Sequence, residues 1–299
     1  MRYVTFSYEG LVRAGVLESE GEDGCVLDLA HPAMRGILGS VSPHIPALLE
    51  RGLPRISEVL AAAVVPAESR LPLAAVRLLA PLPRPRRIIA AALNYRDAIA
   101  ERGMTPPAEP VLFLKSPDAV TGPGEAVRLP AGIGGVSWEA ELAAVIGREM
   151  TDVAPQAALS GIAGYFIIND VSASELIRAD GGKFDRGKNF PTFAPCGPFL
   201  ATADEIPDPQ DLPIRFTLSG ETMQDSTTAQ MLFGIGDLLS RLSRSHRLVC
   251  GDVIATGTPA GVAAVRKPPR WLRPGDLMVA EIAGLGRLSN PVVQEQAHA

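Results

Sequence analysis

The amino-acid sequence predicts an α+β fold that is mainly β, with a small N-terminal α+β domain ahead of a larger domain. Two observations support this. Most segments with regular apolar content have the length of strands and are bounded by Gly, Pro or Asp, whereas few show the 3.6-residue period of a helix. A proline-rich stretch also divides the chain, and no regular alternation of strands and helices follows it.

The first 70 residues are predicted to form the small domain. Between Pro66 and Arg87 five prolines rule out a continuous helix, so we assign residues 71–86 as a linker and 87–299 as the larger domain. In the small domain we expect strands at Tyr3 to Ser7, Leu11 to Leu17 and Cys25 to Leu29, and a helical stretch at Ile45 to Ala63.

The larger domain contains seven predicted strands and three predicted helical stretches. The strands are RIIAAAL, PVLFLK, AELAAVIG, YFIIND, IRFTLSG, DVIATGT and LMVAEIAG. The helical stretches are Tyr95 to Arg102, Gln156 to Leu159 and Met231 to Ser243.

Composition excludes several classes of protein. The 299 residues are 46% hydrophobic, which is ample for a core, and the net charge of -5 gives no electrostatic reason to expect nucleic acid as a partner. The longest apolar runs fall short of the roughly 18 to 20 residues of a membrane span. The start MRYVTFSYEG lacks the pattern of a signal peptide, so we expect a cytoplasmic protein. Three scattered cysteines outside any CxxC spacing predict neither a disulfide framework nor a thiolate zinc site.

Three acidic residues indicate a candidate metal site. Glu139 and Glu141 lie two apart in the strand-like segment SWEAELAAVIG, so their carboxylates leave one face of the strand in apolar surroundings and repel each other. Asp170 ends the strand YFIIND and could converge on them. Three carboxylates suit a hard divalent cation such as Mg²⁺ or Mn²⁺, and after these Ca²⁺. The alternative is that each acid pairs with one of the many arginines.

Lysines are scarce in a chain that is rich in arginine. Of 28 basic residues only four are lysines, and three of them, Lys115, Lys183 and Lys188, bracket the acidic residues. A compact ammonium group can polarise an oxygen where arginine cannot, which favours a functional role, although chance would also give this distribution.

Two glycine-containing loops are candidates for substrate binding. The segment TGTPAG bends at Gly257 and presents backbone amides and the Thr258 hydroxyl, an arrangement that can hold a carboxylate. The segment RGKNF places Arg186 and Lys188 in one loop. Either could be an ordinary turn or a solvated loop. The glycines at Gly234 and Gly236 fit neither a dinucleotide fingerprint nor a P-loop.

Seven segments of the chain together resemble the fumarylacetoacetate hydrolase family. In order they are ALNYRDAIAERG, PVLFLKSP, SWEAELAAVIG, GYFIINDVSA, RGKNFPTFAPCGP, GDVIATGTPAGV and RPGDLMVAEIAGLGRLSNPV. The family includes acylpyruvate hydrolases, hydroxymuconate isomerase/decarboxylases and oxaloacetate decarboxylases. The resemblance, which runs from about Leu79 to Val293, implies a mixed β-roll domain, usually in a homodimer.

The resemblance also implies roles for individual residues. Glu139, Glu141 and Asp170 fall on the family's Mg²⁺ or Mn²⁺ ligands. Lys188 falls on its active-site lysine and Thr258 on a contact to the substrate carboxylate. Lys115 lies where the family also has a lysine, and we expect it to be a secondary substrate contact.

The chain departs from the family at the base that activates water. Hydrolytic members have a histidine after NYRD and a glutamate three residues later, whereas this chain has Ala98 and retains Glu101. Positions 98 and 101 lie on one face of a helix, and Glu101, if buried, is the remaining candidate base. The histidines lie outside the motifs and supply no replacement; they are His31, His44, His246 and His298.

A second departure concerns the acid that is recognised. Where family members commonly read NDVSARDLQ, this chain reads NDVSASELI, with Ser174 and Ile177 in place of arginine and glutamine. Loss of these two polar groups should change the acid that is bound.

We therefore expect a metal-dependent enzyme that acts on a carbon-carbon bond of a 2-oxo acid or β-dicarbonyl substrate through a metal-stabilised enolate. Hydrolysis is the family default, and a decarboxylase, an isomerase or a biosynthetic lyase is the alternative, because these reactions need the enolate but no attacking water. A catalytically silent relative that binds a metabolite or a partner protein is the alternative from another class. The intact acidic triad argues against it.

Overall fold

The structure is a computed structural model that describes residues 1–39 and 42–295. His298 and the last residues of the predicted larger domain lie outside this range. Within the range the strands are β1 (Arg2–Tyr8), β2 (Leu11–Ser19), β3 (Cys25–Asp28), β4 (Arg70–Pro72), β5 (Arg77–Leu79), β6 (Ile88–Ala92), β7 (Val111–Lys115), β8 (Val120–Thr121), β9 (Val127–Leu129), β10 (Val136–Ser137), β11 (Ala140–Ile146), β12 (Ile162–Asn169), β13 (Ser172–Ala173), β14 (Ala194–Thr202), β15 (Pro213–Leu218), β16 (Glu221–Thr227), β17 (Val253–Ala255), β18 (Leu277–Ile282) and β19 (Gly286–Gln294). The helices are α1 (Arg35–Leu38), α2 (Ile45–Arg51), α3 (Leu53–Ala62), α4 (Arg96–Glu101), α5 (Pro155–Leu159), α6 (Ser174–Ala179), α7 (Asp185–Lys188) and α8 (Ile235–Ser245).

One large mixed sheet organises the chain. Its main path runs in the order β4, β3, β2, β1, β14, β12, β11, β17, β6, β7, with β5 beside β1 and β8 beside β14. A second sheet has the order β16, β15, β18, β19, β9, and β10 pairs with β13. The prediction of an α+β protein that is mainly β is confirmed.

Both faces of the large sheet are buried at the central strand β11. Along β11, Leu142 and Ala144 pack in an apolar cluster that includes the second sheet and α8, whereas Ala143 and Val145 pack in a cluster that includes α2 and α3. A strand that is covered on both sides has no polar face, which explains why this segment is a nearly continuous apolar run.

The large sheet crosses the boundary that we predicted between two domains. Tyr3 of β1 pairs with Leu200 of β14, so the N-terminal strands extend the sheet of the larger domain. The predicted linker contains β5, which pairs antiparallel with β1. The division into domains at residues 70 and 86 stays a prediction.

Two of the predicted helical stretches differ from the observed helices. The helical stretch predicted at Ile45 to Ala63 is divided at Gly52, whose φ of 90° interrupts the helix between α2 and α3. The helix predicted from Met231 begins at Ile235, because the backbone N–H groups of Leu232 and Phe233 bind Asn94 instead. None of the helices in the described part of the chain is long and apolar enough to span a membrane. The cytoplasmic location stays a prediction.

Candidate active site

The pairing of two central strands brings three carboxylates together. Glu139 directly precedes β11, Glu141 lies within it, and Asp170 directly follows β12. These strands are antiparallel, and Ala140 pairs with Asn169, so the start of β11 lies beside the end of β12. The Asp170 N–H donates to the Glu139 carbonyl oxygen over 2.8 Å. Oxygen atoms of the three carboxylates lie within 4.8 Å of one another.

Two buried lysines compensate part of this negative charge. Lys188 Nζ lies 2.5 Å from Asp170 Oδ2 and 2.9 Å from Glu139 Oε2, while Lys115 Nζ lies 2.7 Å from Asp170 Oδ1. Burial raises the pKa of Asp170, but the two ammonium groups outweigh it and hold that pKa below its usual value. Burial lowers the pKa of Lys188, but Asp170, Glu139 and Glu141 outweigh it and raise that pKa. Lys188 therefore retains its proton.

Glu141 is the carboxylate of the triad that forms no ion pair within the described part of the chain. It is 1% exposed, and its Oε2 accepts a hydrogen bond from the Gly257 N–H over 2.8 Å. The ion pairs of the described residues include none with Glu141. Burial, together with the charges of Asp170 and Glu139, raises the pKa of Glu141 well above its usual value.

The residues present fit a hard divalent cation. Three carboxylates and two ammonium groups leave the cluster with one uncompensated negative charge, and it lies where Glu141 is buried without a cationic partner. Carboxylate oxygens are the ligands that Mg²⁺, Mn²⁺ and Ca²⁺ prefer. The alternative that each acid pairs with an arginine does not hold for this triad, because its ion-pair partners are lysines.

Lys115 is buried inside the protein, and its role as a secondary substrate contact stays a prediction. It is 1% exposed, and its ammonium group donates to the carbonyl oxygens of Val171, over 3.3 Å, and of Lys188. Its Nζ also lies 2.7 Å from Asp170 Oδ1, an ion pair that lacks the geometry of a hydrogen bond. Burial and the charge of Lys188 lower the pKa of Lys115, and Asp170 opposes them.

The TGTPAG loop is held by bonds at both ends. The Gly257 N–H is engaged by Glu141, and the Gly261 N–H donates to Glu101 Oε2 over 3.0 Å. The Thr258 hydroxyl donates to the Ala140 carbonyl oxygen over 2.9 Å and accepts from Gln224 Nε2 over 2.8 Å. The hydrogen bonds of the described residues include none that is donated by the Thr258 backbone N–H.

Two side chains that support this loop were not among our candidates. Gln224 also accepts from the Ala140 N–H and donates to the Pro259 carbonyl oxygen, so its amide joins β11 to the loop. Asn94 donates to the carbonyl oxygen of Thr256 over 2.8 Å. Asn94 lies in the NYRD segment and could have been found there, whereas no pattern in the sequence marks Gln224.

The helix α4 places Ala98 and Glu101 in different environments. Ala98 is 1% exposed and packs in the apolar core, while Glu101 at the end of the helix is exposed. Glu101 is therefore not buried as we expected for a base. The Glu101 carboxylate lies beside the TGTPAG loop, where it accepts a hydrogen bond from the Gly261 N–H.

The remaining candidates lie on the α6 and α7 segments. Arg186 is exposed, and its Nε donates to Asp180 Oδ2 over 2.9 Å. Ile177 packs against Gly187, where an added Cβ would lie 2.3 Å from Ile177 Cγ1. The Ser174 N–H donates to the Gly135 carbonyl oxygen. The structure brings Lys188 to the triad, but it pairs Arg186 with another residue of the surface.

The histidines whose side-chain bonds are described bind their neighbours in sequence. His31 Nδ1 accepts from the Ala33 N–H, and His246 Nδ1 is bonded to Ser245 Oγ. Neither bond involves the triad or Glu101.

Comparison with known proteins shows a match to one family profile, to one relative and to two solved structures. Residues 87–293 match the sequence profile described as fumarylacetoacetate (FAA) hydrolase C-terminal. The chain is 41% identical to the mitochondrial oxaloacetate tautomerase of Xenopus laevis over 219 residues. This aligned region covers 73% of this chain and 69% of that protein. Two solved structures, each 34% identical, are similar over 99% of this chain and 100% of theirs. They are a 5-carboxymethyl-2-hydroxymuconate delta-isomerase from Mycobacterium smegmatis, with a TM-score of 0.77, and a fumarylacetoacetate hydrolase from Exiguobacterium antarcticum, with a TM-score of 0.81.

Proposed function

Since this chain belongs to the fumarylacetoacetate hydrolase family, we propose that it is a metal-dependent enzyme that interconverts the keto and enol forms of a 2-oxo acid or a β-dicarbonyl compound. The observation that carries the proposal is the acidic triad assembled with Lys188. At position 98, where hydrolytic members of the family have a histidine, this chain has only a buried methyl group. Keto-enol interconversion needs positive charge that stabilises the enolate and a group that moves one proton, whereas hydrolysis needs in addition a base that activates an attacking water.

The names of two similar proteins agree with this assignment. The Xenopus laevis relative is named an oxaloacetate tautomerase, and one similar structure is named a delta-isomerase. We therefore propose oxaloacetate as the first compound to test.

The chain's own residues would divide the work as follows. Glu139, Glu141 and Asp170 would hold Mg²⁺ or Mn²⁺, and the bound cation would stabilise the negative oxygen of an enolate. Lys188 keeps its ammonium charge beside the triad and adds to that stabilisation. We propose that Glu101 transfers the proton between the keto and enol forms, because its carboxylate lies beside the TGTPAG loop and has no ion-pair partner among the described residues.

Substrate acids are expected at the backbone of the TGTPAG loop. The Thr258 N–H has no acceptor in the described chain, whereas the Gly257 N–H and the Thr258 hydroxyl are engaged by Glu141 and Ala140. We propose that the backbone N–H of Thr258 binds the substrate carboxylate.

Hydrolysis of an acylpyruvate is the second candidate, because Glu101 is retained in the motif and could activate water. Loss of a general base typically lowers the rate by about 10² to 10⁴. We expect any hydrolysis to be slow compared with tautomerisation.

One experiment separates these possibilities. The purified protein is mixed with Mg²⁺ or Mn²⁺ and with enol-oxaloacetate, and the ultraviolet absorbance of the enol is followed against the spontaneous rate. Faster loss of the enol without release of CO₂ supports tautomerisation. Release of CO₂ would instead establish a decarboxylase, and incorporation of ¹⁸O from water into the products of an acylpyruvate would establish a hydrolase. A protein that binds the metal but converts neither oxaloacetate nor the acylpyruvate would be a catalytically silent relative.

Membership of the family is also the basis for proposals on the quaternary structure and on the metal. We propose a homodimer, which sedimentation velocity can test. We propose Mg²⁺ or Mn²⁺ ahead of Ca²⁺, which titration of the metal-free protein with each ion can test.

A further inference from the structure

Lys115 lies where three parts of the active site meet. Its side chain is 0% exposed, and its ammonium group binds Asp170 Oδ1, the carbonyl oxygen of Val171 and the carbonyl oxygen of Lys188. The first two acceptors belong to the turn that follows β12. The third belongs to the residue whose own ammonium group binds Asp170 Oδ2.

The carbonyl oxygen of Lys188 needs such a partner. It lies at the C-terminal end of α7, which is a single turn. The last carbonyl groups of a helix accept no hydrogen bond from within the helix. A lysine side chain that donates to such a carbonyl group fixes the end of the helix. The position of Lys188 therefore depends on the ammonium group of Lys115.

The rest of β7 supports the same segment. The Ser116 N–H, directly after the strand, donates to Asn189 Oδ1 over 2.6 Å. The ring of Phe113 lies 4.6 Å from the ring of Phe184, and Lys188 Nζ lies 5.0 Å from the centre of the Phe113 ring. The end of β7 is thus the surface on which Lys188 is placed.

We propose that Lys115 is a positioning residue that fixes Asp170 and Lys188 relative to each other and makes no contact with the substrate. Its side chain is 0% exposed, two of its donors bind carbonyl oxygens, and its ammonium group forms an ion pair with Asp170, so the described protein leaves it no access to a ligand. The part of this inference that concerns turnover rests on the proposed function, whereas the part that concerns the link between the residues does not.

The turnover test compares Lys115→Met with Lys183→Met. Methionine keeps most of the stem and removes the ammonium group, and Lys183 is an exposed lysine near the same loop. For Lys115→Met we expect kcat to fall by about tenfold to a hundredfold, with KM within about threefold, because Lys188 is misplaced. Lys183→Met should match the wild type. A rise in KM at unchanged kcat would show a substrate contact and overturn the inference, as would unchanged values of both.

A binding measurement accompanies the kinetics. Calorimetric titration with Mn²⁺ should show that Lys115→Met binds the ion at least as tightly as the wild type, because a positive charge has been removed from beside the carboxylates. Weaker binding in a folded variant would overturn the inference, since Lys115 would then hold the whole triad rather than the pair of Asp170 and Lys188. Should Lys115→Met fail to fold, Lys115→Gln, which keeps two N–H donors, replaces it with the same expectations.

Thermal unfolding of the metal-free protein tests the link without any activity. In the background that retains Asp170, Lys115→Met should lower Tm by on the order of 5 °C, because Asp170 loses one of its two cationic partners. In an Asp170→Asn background the same change should lower Tm by less than half as much. Equal effects in the two backgrounds would overturn the inference. If the wild type converts no compound but the two changes are not additive, the proposed function fails and the link between the residues stands.

Discussion

Lys188 Nζ donates directly to Asp170 Oδ2 over 2.5 Å, inside the protein, where both side chains are 3% exposed or less. The same ammonium group donates to Glu139 Oε2 over 2.9 Å. A charge that is held by two carboxylates and shielded from water is preorganised to stabilise the negative oxygen of an enolate.

We expect Lys188→Met to lower kcat by about 10² to 10³, which is the usual effect of removing one group that stabilises developing charge. Binding of Mn²⁺ should persist, because the three carboxylates remain. Steady-state kinetics and calorimetry measure the two effects, with Lys183→Met as the control. Retention of more than half of the wild-type kcat would show that Lys188 has no part in the chemistry.

Two acids of the triad should respond in opposite ways to the loss of charge. In the metal-free protein Glu141→Gln removes a buried charge that has no cation beside it, and we expect a gain in unfolding free energy on the order of 1–3 kcal/mol. Asp170→Asn leaves Lys115 and Lys188 short of a partner, and we expect a loss of about 3–5 kcal/mol. Urea unfolding in a chelating buffer measures both.

The same two variants should behave alike toward metal. Each loses one carboxylate, so the thermal shift that Mn²⁺ causes in the wild type should disappear in both. The exposed Glu175, changed to Gln, is the control for both measurements. Loss of stability in Glu141→Gln would contradict the view that its charge is uncompensated.

Much of the fold could be predicted from local patterns, and the main exception has a physical cause. The strands around Leu142 and Ile167 are long apolar runs with clear boundaries, so their positions were predicted. Strand β14 was missed because Pro195 and Pro198 argue against a strand in the centre of a sheet. The structure accommodates Pro198 in an irregular part of the pairing, since β12 pairs with Gly197 and Ala201 but with none of residues 198–200.

The site was predictable as far as residue types and spacing reach. The convergence of Glu139, Glu141 and Asp170 follows from strand geometry, which the sequence encodes. The partners of a donor are set by tertiary contacts, so the sequence did not show that the ammonium group of Lys115 is buried between Asp170 and two carbonyl oxygens. It also did not show that Glu101 is exposed while Ala98, three residues earlier, is buried.

Restoring a histidine at position 98 should not produce a hydrolase. Ala98 is 1% exposed in the apolar core, so an imidazole there must displace its neighbours, at a cost of about 1–3 kcal/mol. We expect Ala98→His to be less stable in urea and to show no gain in acylpyruvate hydrolysis. Ala100→His places the same group on the exposed face of α4 and is the control for stability. A gain in hydrolysis with ¹⁸O incorporation would show that position 98 faces the substrate.

The glycine at the end of the TGTPAG loop joins stability to the placement of Glu101. Gly261 has a φ of 100°, and a Cβ there would lie 2.0 Å from the Met223 carbonyl oxygen. Its N–H is the group that binds Glu101 Oε2. Gly261→Ala should therefore cost roughly 1–2 kcal/mol for the backbone conformation and about 1–3 kcal/mol for the contact.

A matched substitution separates these two costs. Gly103 has a φ of 61° and no atom within 4 Å of an added Cβ, so Gly103→Ala should incur the backbone cost alone. Urea unfolding should thus rank the wild type above Gly103→Ala and Gly103→Ala above Gly261→Ala. Because the bond from Gly257 to Glu141 remains in Gly261→Ala, Mn²⁺ should bind this variant normally while kcat falls with the displacement of Glu101. Equal destabilisation by the two substitutions would mean that the added Cβ does not clash with Met223. An unchanged kcat in Gly261→Ala would mean that Glu101 does not carry the proton.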